Sequence, residues 1–249
     1  VLIGDQNQLG QPIKGTHPNE SGQSILDYLL EGRDTIPENR GIFLNKTYRL
    51  HSKINEFISS NFYEGRLNCD ERTDKRIINF NKKCIIQKPG VHYIEMKHKN
   101  NVQTSLEEIE TVVDLMKQMI GSGFNDNGKK RELNVKDFLI ISPYNTQVNL
   151  MIAKLEEEKI KNPRVGTIDK FQGQEAPINI ISMTSSDSET LPRNKEFFFS
   201  KNRLNVAISR AQVASIILFN PKILDFFPKD INQIKLVNNF FKLLDYKVK

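Results

Sequence analysis

The chain has little of what marks a membrane, secreted or disulfide-stapled protein. No apolar run approaches the roughly 18 residues that a membrane-crossing helix needs. The chain opens on VLIG, with no basic stretch and apolar core of the kind that makes a secretory leader. Its two cysteines, Cys69 and Cys84, lie in a polar region without C-x-x-C spacing. That argues against a zinc site or a disulfide framework and for two free thiols in a cytoplasmic protein. Internal repeats and low-complexity tracts are absent. Also missing is G-x-x-x-x-G-K-[ST] between a strand and a helix, the loop that cradles phosphates. The nearest approach runs from Gly123 to Gly128, Lys129 and Lys130. It puts Lys130 where a hydroxyl must hold Mg2+, and it follows a helix and precedes a strand, the reverse of the required order.

What is present is an ordinary globular composition, 38% hydrophobic and 27% charged over 249 residues, enough for one large domain or two small ones. The 36 basic against 30 acidic residues leave a net charge of +6. That balance permits a polyanionic partner without demanding one.

Hydrophobic periodicity predicts strands at 1–5, 41–45, 91–96, 137–142, 165–168, 178–183 and 214–219. Helices are expected at 24–32, 51–65, 105–120, 146–159, 201–211 and 231–246. Ser105 and Glu108 have capping-box spacing, and Leu106, Ile109, Val113, Met116 and Ile120 form the expected apolar side of the helix that follows. Segments 10–22, 121–132 and 185–196 read as polar loops, and 66–90 shows no assignable element. Strands that are apolar throughout and alternate with helices imply an α/β fold, a parallel sheet covered on both faces.

The stretch around which the rest is organised is VGTIDKFQGQEAPINIISM (165–183). It reads as a strand, a polar turn with Gly173 and Glu175, and a second strand, so it delivers polar groups to a sheet edge of the kind where ligands bind. Arg49 and Arg210 each follow an apolar segment, and arginine suits bidentate contact with phosphate oxygens. A positioned arginine also stabilises charge on a transferring phosphoryl group. Tyr48 offers a stacking face for a base, Glu175 an acceptor for ribose hydroxyls, and Gln8 a polar group three positions after Asp5. Taken singly, each has a bland alternative: a structural arginine, a core tyrosine, a solvated turn residue.

Taken together, GDQNQL (4–9), TYRLH (47–51), SPYNTQ (142–147), VGTIDKFQGQE (165–175) and NRLNVAISRA (202–211) resemble, in order and spacing, motifs III to VI of superfamily 1 helicases. The branch they resemble includes the nonsense-mediated-decay RNA helicase and related helicase–nucleases. The resemblance covers nearly the whole chain. It implies a RecA-like parallel sheet with helices on both faces, a P-loop NTPase-like second motor domain without its own P-loop. Residues 1–24 would be the tail of a first RecA-like domain and a linker, and 25–249 the second domain. It implies that Gln8 senses the γ-phosphate, that Tyr48 stacks on the base, and that Arg49 contacts the γ-phosphate. Gly173 and Glu175 would lie near the γ-phosphate and ribose, and Arg210 would be the arginine finger. Ser142, Tyr144, Gln147 and Thr167 would contact the nucleic-acid backbone, and Arg203 and Asn205 would brace the helix that carries Arg210.

Where family members often read Q-Y-R-M-H, this chain has Thr47 and Leu50, and Lys201 stands where they often carry an acidic residue. Neither change touches an assigned phosphate contact. The resemblance further implies ATP and Mg2+ with the metal ligands upstream of this chain, single-stranded DNA or RNA as partner, 5′→3′ movement, and no membrane. Residues 10–30 also resemble the linker of bacterial proteins that fuse such a helicase to an upstream RecB-like nuclease. Two rival readings remain: a degenerate, non-catalytic nucleic-acid-binding domain, and a structural α/β interaction domain.

Overall fold

The computed structural model describes residues 1–10, 18–19, 21–80, 84–188, 200–225 and 231–246. The first elements are α1 (Ile25–Leu30), β1 (Lys46–Thr47), α2 (Ser52–Phe62), β2 (Asn68–Cys69), β3 (Arg76–Asn79) and β4 (Gly90–Glu95). Then come α3 (Leu106–Met119), β5 (Gly123–Asp126), β6 (Lys129–Glu132), β7 (Phe138–Ile141) and α4 (Asn145–Glu157). The chain continues through β8 (Val165–Gly166), β9 (Ala176–Ser182), α5 (Lys201–Ile208), β10 (Ala211–Phe219) and α6 (Ile231–Asp245).

Five parallel strands in the order β4-β10-β9-β7-β8 make the central sheet. Every residue of β7 and β9 is buried, as strands covered on both faces require. Their side chains alternate between two cores. Phe138, Ile140, Ile178, Ile180, Ile216 and Leu218 pack with the apolar sides of α3 and α4. Leu139, Ile141, Ile181, Ile217 and Phe219 pack with Ile54, Phe57 and Ile58 of α2 and with α5 and α6. Each such side chain contributes roughly 1.5–3 kcal/mol by leaving water, so the sheet is a rigid platform for the loops at its two edges.

Several expectations are corrected. Residues 1–5 form no strand, and Val1 to Gly4 are exposed; among the described residues no strand pairs with them, and Asp5 instead starts a turn by accepting the Asn7 N–H (3.0 Å). In 41–45 only Phe43 packs on the core, while Ile42 and Leu44 face solvent. Pairing there begins at β1, which runs parallel to β2. The expected loop 121–132 is a hairpin, β5–β6, that pairs antiparallel with β3. Asn127 and Gly128, with φ of +51° and +94°, form its turn, as an Asn-Gly pair does in a tight hairpin. Gly123 and Lys129 are therefore strand residues, not parts of a phosphate cradle. Residues 66–90 hold β2, β3 and a 3-10 turn (Glu71–Lys75). On α3, Leu106 is exposed and the buried side runs through Ile109, Val112, Val113, Met116 and Met119. Ser105 Oγ accepts the Glu108 N–H (3.2 Å), but Glu108 turns its carboxylate inward instead of closing a box. In the expected loop 185–196, residues 189–196 lie outside the described residues.

Candidate functional site

Glu175 immediately precedes β9 and Arg210 immediately precedes β10, so both stand at the edge where the parallel strands begin. The turn that carries Glu175 uses Gly173, whose φ of +78° glycine adopts without strain. TYRLH runs past the same edge, held by the His51 N–H donating to the Gln212 carbonyl (2.9 Å). This brings Arg49 to Glu175 in a direct ion pair, while Gln212 Nε2 donates to the other carboxylate oxygen at 2.8 Å. Burial pushes the Glu175 carboxyl up, but the hydrogen bond and charge of Arg49 outweigh it and hold the group below its usual range.

Arg210 is 3% exposed, with Nε donating to the Val206 carbonyl (3.1 Å) and an Nη to the Gln174 carbonyl (3.2 Å). Among the described residues no carboxylate comes within ion-pair distance of it. Burial, and then the neighbouring charge of Arg49, pull its pKa down to about 10. Two guanidinium groups thus stand at a half-buried edge whose one carboxylate, Glu175, pairs with Arg49 alone, which is an arrangement short of negative charge.

Tyr48 is 57% exposed. The Arg72 guanidinium lies 5.2 Å from its ring centroid and the Lys46 ammonium 5.9 Å, and Asp70 holds both cations, at 2.7 and 3.2 Å. The ring is therefore presented at the surface beside Arg49, with cations across its π-face. Gln8 is exposed and bonded to Asp5 (2.8 Å), and no hydrogen bond or ion pair among the described residues joins it to Arg49 or Arg210. Its segment is nonetheless seated near them. Asn202 Nδ2 donates to the Gln8 carbonyl and Asn205 Nδ2 to the Asn7 carbonyl, both at 2.8 Å. Tyr63, whose hydroxyl donates to Asp5 (2.7 Å), is close enough to Arg210 to act on its charge. Arg203 pairs with Asp169 (3.0 Å), so both expected brace residues do tie α5 to its neighbours.

The other group gathers at the opposite edge, where the strands end. Ser142 follows β7, Tyr144 caps α4, and Thr167 follows β8 with its side chain outside any cap. Ser142 Oγ is 3.2 Å from Thr184 Oγ1, and Tyr144 Oη is 3.3 Å from Ser185 Oγ. Ser142 and Gln147 depart from expectation: Ser142 is only 1% exposed, and Gln147 is fully buried, its amide bridging both backbone groups of Ser105 (2.8 and 3.0 Å) and Ser182 Oγ (3.2 Å). The first turn of α4 faces the cap of α3, which closes that side chain off from solvent. The stretch 165–183 therefore crosses the sheet and puts Thr167 and Glu175 at opposite edges. β9 separates the two edges by seven residues, about 20 Å at strand rise.

Sequence reasoning missed Gln212, Arg76, Glu108 and His98. Arg76 donates to the Arg49 carbonyl (2.6 Å) and pairs with Asp126 of β5 (3.2 Å), so it fastens the Tyr48–Arg49 turn to the hairpin. Nothing local marks such a partnership, because it depends on a three-stranded sheet that was read as loop.

The fold is a parallel α/β sheet between two helical layers, with cationic groups at one edge and hydroxyls at the other. A family model described as "AAA domain" matches residues 22–222, and the chain belongs to that family. Its relatives are superfamily 1 helicases. The DNA polymerase alpha-associated DNA helicase A of Schizosaccharomyces pombe is 27% identical over 254 residues, covering 97% of this chain and 35% of that protein. A regulator of nonsense transcripts 1 homolog from Neurospora crassa is 26% identical over 235 residues, covering 90% of this chain and 20% of that protein. Among solved structures, the arterivirus nonstructural protein 10 helicase aligns over 72% of this chain and 25% of its own, at 13% identity and a TM-score of 0.33. The chain thus spans about a third or less of the curated relatives it matches.

Proposed function

We propose that this chain is the second, RecA-like motor domain of an ATP-dependent superfamily 1 helicase that works on single-stranded nucleic acid in the cytoplasm. Residues 1–24 belong to the end of a preceding motor domain and its linker, and 25–249 form the domain itself. The observation that carries the reading is the buried Arg210: it has no carboxylate partner among the described residues, and Arg49 depresses it further. An arriving triphosphate supplies the missing negative charge.

On this reading Arg49 and Arg210 hold and neutralise the transferring phosphoryl group, while Glu175, steadied by Gln212, orients Arg49 and accepts from the ribose. Tyr48 stacks on the base, and Gln8, seated by Asn202, reports the γ-phosphate to α5. Gly173 lets the chain turn between Thr167 and Glu175. Tyr144 and Thr167 grip the strand backbone, with Ser142 and Gln147 bracing them from inside. Among the described residues no three carboxylate, thiol or imidazole groups converge on a metal position. The Mg2+ ligands, like the phosphate cradle, come from the upstream domain.

The test is steady-state ATPase of the full polypeptide carrying this chain, with and without single-stranded DNA or RNA. Strong stimulation that disappears in Arg210→Ala establishes the motor, and the better stimulator names the substrate. Turnover indifferent to Arg210 hands the reading to a non-catalytic binding domain.

A further inference from the structure

Between the ends of β7 and β9 and the start of α3, the structure buries a polar cluster that the site described above does not use. Glu108 is fully buried. Its Oε2 accepts from Ser182 Oγ (2.6 Å) and from the Thr184 N–H (2.9 Å), and Oε1 lies 3.2 Å from His98 Nε2. The far ring nitrogen of His98 is 2.8 Å from Ser186 Oγ, which accepts the Asn101 N–H at 2.9 Å. A carboxylate so deep in the fold is tolerated only when its oxygens are satisfied in this way.

The turn it holds is unusual. Thr184 has φ +72°, a conformation that disfavours a β-branched residue. Such strain persists only where the surroundings over-determine the backbone, and it collects at functional sites. Here the strained turn faces the strand-contact edge. It puts Thr184 Oγ1 against Ser142 Oγ (3.2 Å) and Ser185 Oγ against Tyr144 Oη (3.3 Å), with Ser185 anchored on the Val102 carbonyl (2.7 Å).

We propose that Glu108 is a positioning residue for that edge: it fixes the 182–186 turn in its strained shape and so, through the buried hydroxyls of Ser142 and Ser185, sets Tyr144 against the backbone of a bound single strand. This rests on the strand-contact role given to that edge under Proposed function. Glutamine at 108 keeps one acceptor for the Thr184 N–H and turns its amide nitrogen to His98, which can exchange tautomers to accept it. Alanine leaves all three donors without a partner. Glycine at 184 adopts the same φ freely but loses the hydroxyl and the rigidity.

The experiment measures binding of fluorescein-labelled oligo-dT and oligo-U to the full polypeptide, alongside thermal unfolding and hydrogen exchange over 182–188. Glu108→Ala weakens strand affinity by about tenfold or more, the scale of one lost buried hydrogen-bond set, and speeds exchange at the Thr184 amide. Glu108→Gln brings affinity back to within about threefold of wild type. Thr184→Gly keeps or raises the unfolding temperature yet weakens the strand by at least about threefold. The strand concentration for half-maximal ATPase rises with each loss, while turnover at saturating strand holds. That split separates positioning from a fold defect. A folded Glu108→Ala or Thr184→Gly protein that binds like wild type overturns the inference alone. A wild-type protein that does not bind either oligonucleotide overturns the strand-contact reading and the inference with it.

Discussion

Arg210 shows how a single residue can serve function against stability. Its guanidinium is 3% exposed, and burial, then the charge of Arg49, pull its pKa down to about 10. A buried charge without a carboxylate partner costs the nucleotide-free fold on the order of a few kcal/mol. The sign follows from linkage. Above about pH 10 the unfolded chain keeps a proton the folded chain has lost, so stability rises with pH there. Below pH 10 the full cost is present. Arg210→Met removes that cost and forgoes two carbonyl hydrogen bonds worth about 1 kcal/mol each. Calorimetry should show the unfolding temperature rising by about 2–4 °C while nucleotide turnover is lost; a fall of several degrees would mean the arginine supports the fold. Arg49, Tyr48, Glu175 and Arg210 stood out in the sequence because each ends a recognisable segment. Gln212 and Gln147 did not read correctly. One gains its partner from a chain segment far away, and the other is buried by a helix–helix contact that no local pattern encodes.

Among the elements, α2 carries a pH dependence. His51 Nδ1 caps it by accepting the Lys53 N–H (3.2 Å), and burial holds the imidazole below its ordinary range despite Asp74 nearby. A depressed folded value means that the stability from the neutral ring is present above about pH 6.5 and is lost as pH falls through the folded value. His51→Asn keeps a strong cap and should flatten the loss between pH 7.5 and 5.5 in urea titrations. His92, also lowered by burial, retains the remainder. An unchanged slope would remove His51 from the account.

The hairpin gives a second test. Gly128 sits at φ +94°, and an added Cβ would meet nothing within 4 Å. Gly128→Ala therefore costs only conformational strain, about 1 kcal/mol or somewhat more, read as a shift in the urea midpoint without a change in slope. A neutral result would mean the hairpin turn is not populated as described. The central strands and the six α-helices among the described residues were legible because their apolar periodicity is strong. The hairpin was not, since β6 is Lys-Lys-Arg-Glu and wholly exposed, and an edge strand of charges carries no hydrophobic signal. The opposite error arose at 1–5, where an apolar run without a partner strand was read as buried.

At the scale of the molecule, the sheet holds two chemically distinct edges about 20 Å apart, with the strands and α5 joining them. This fits a domain that senses a nucleotide at one edge and holds a strand at the other. Strand affinity should fall with salt, with a log–log slope of about −0.7 for each phosphate neutralised. A flat line would favour a structural interaction domain. The 249-residue chain alone should turn over no ATP, because its described residues hold no phosphate cradle. The central claim is that Arg210 acts on the reacting phosphoryl group, and single-turnover hydrolysis at saturating ATP and strand reads that step directly. In the full polypeptide, Arg210→Ala should slow hydrolysis by about 10³-fold or more while ATP affinity stays within about tenfold of wild type. An unchanged rate, or a loss confined to ATP binding, would contradict the account.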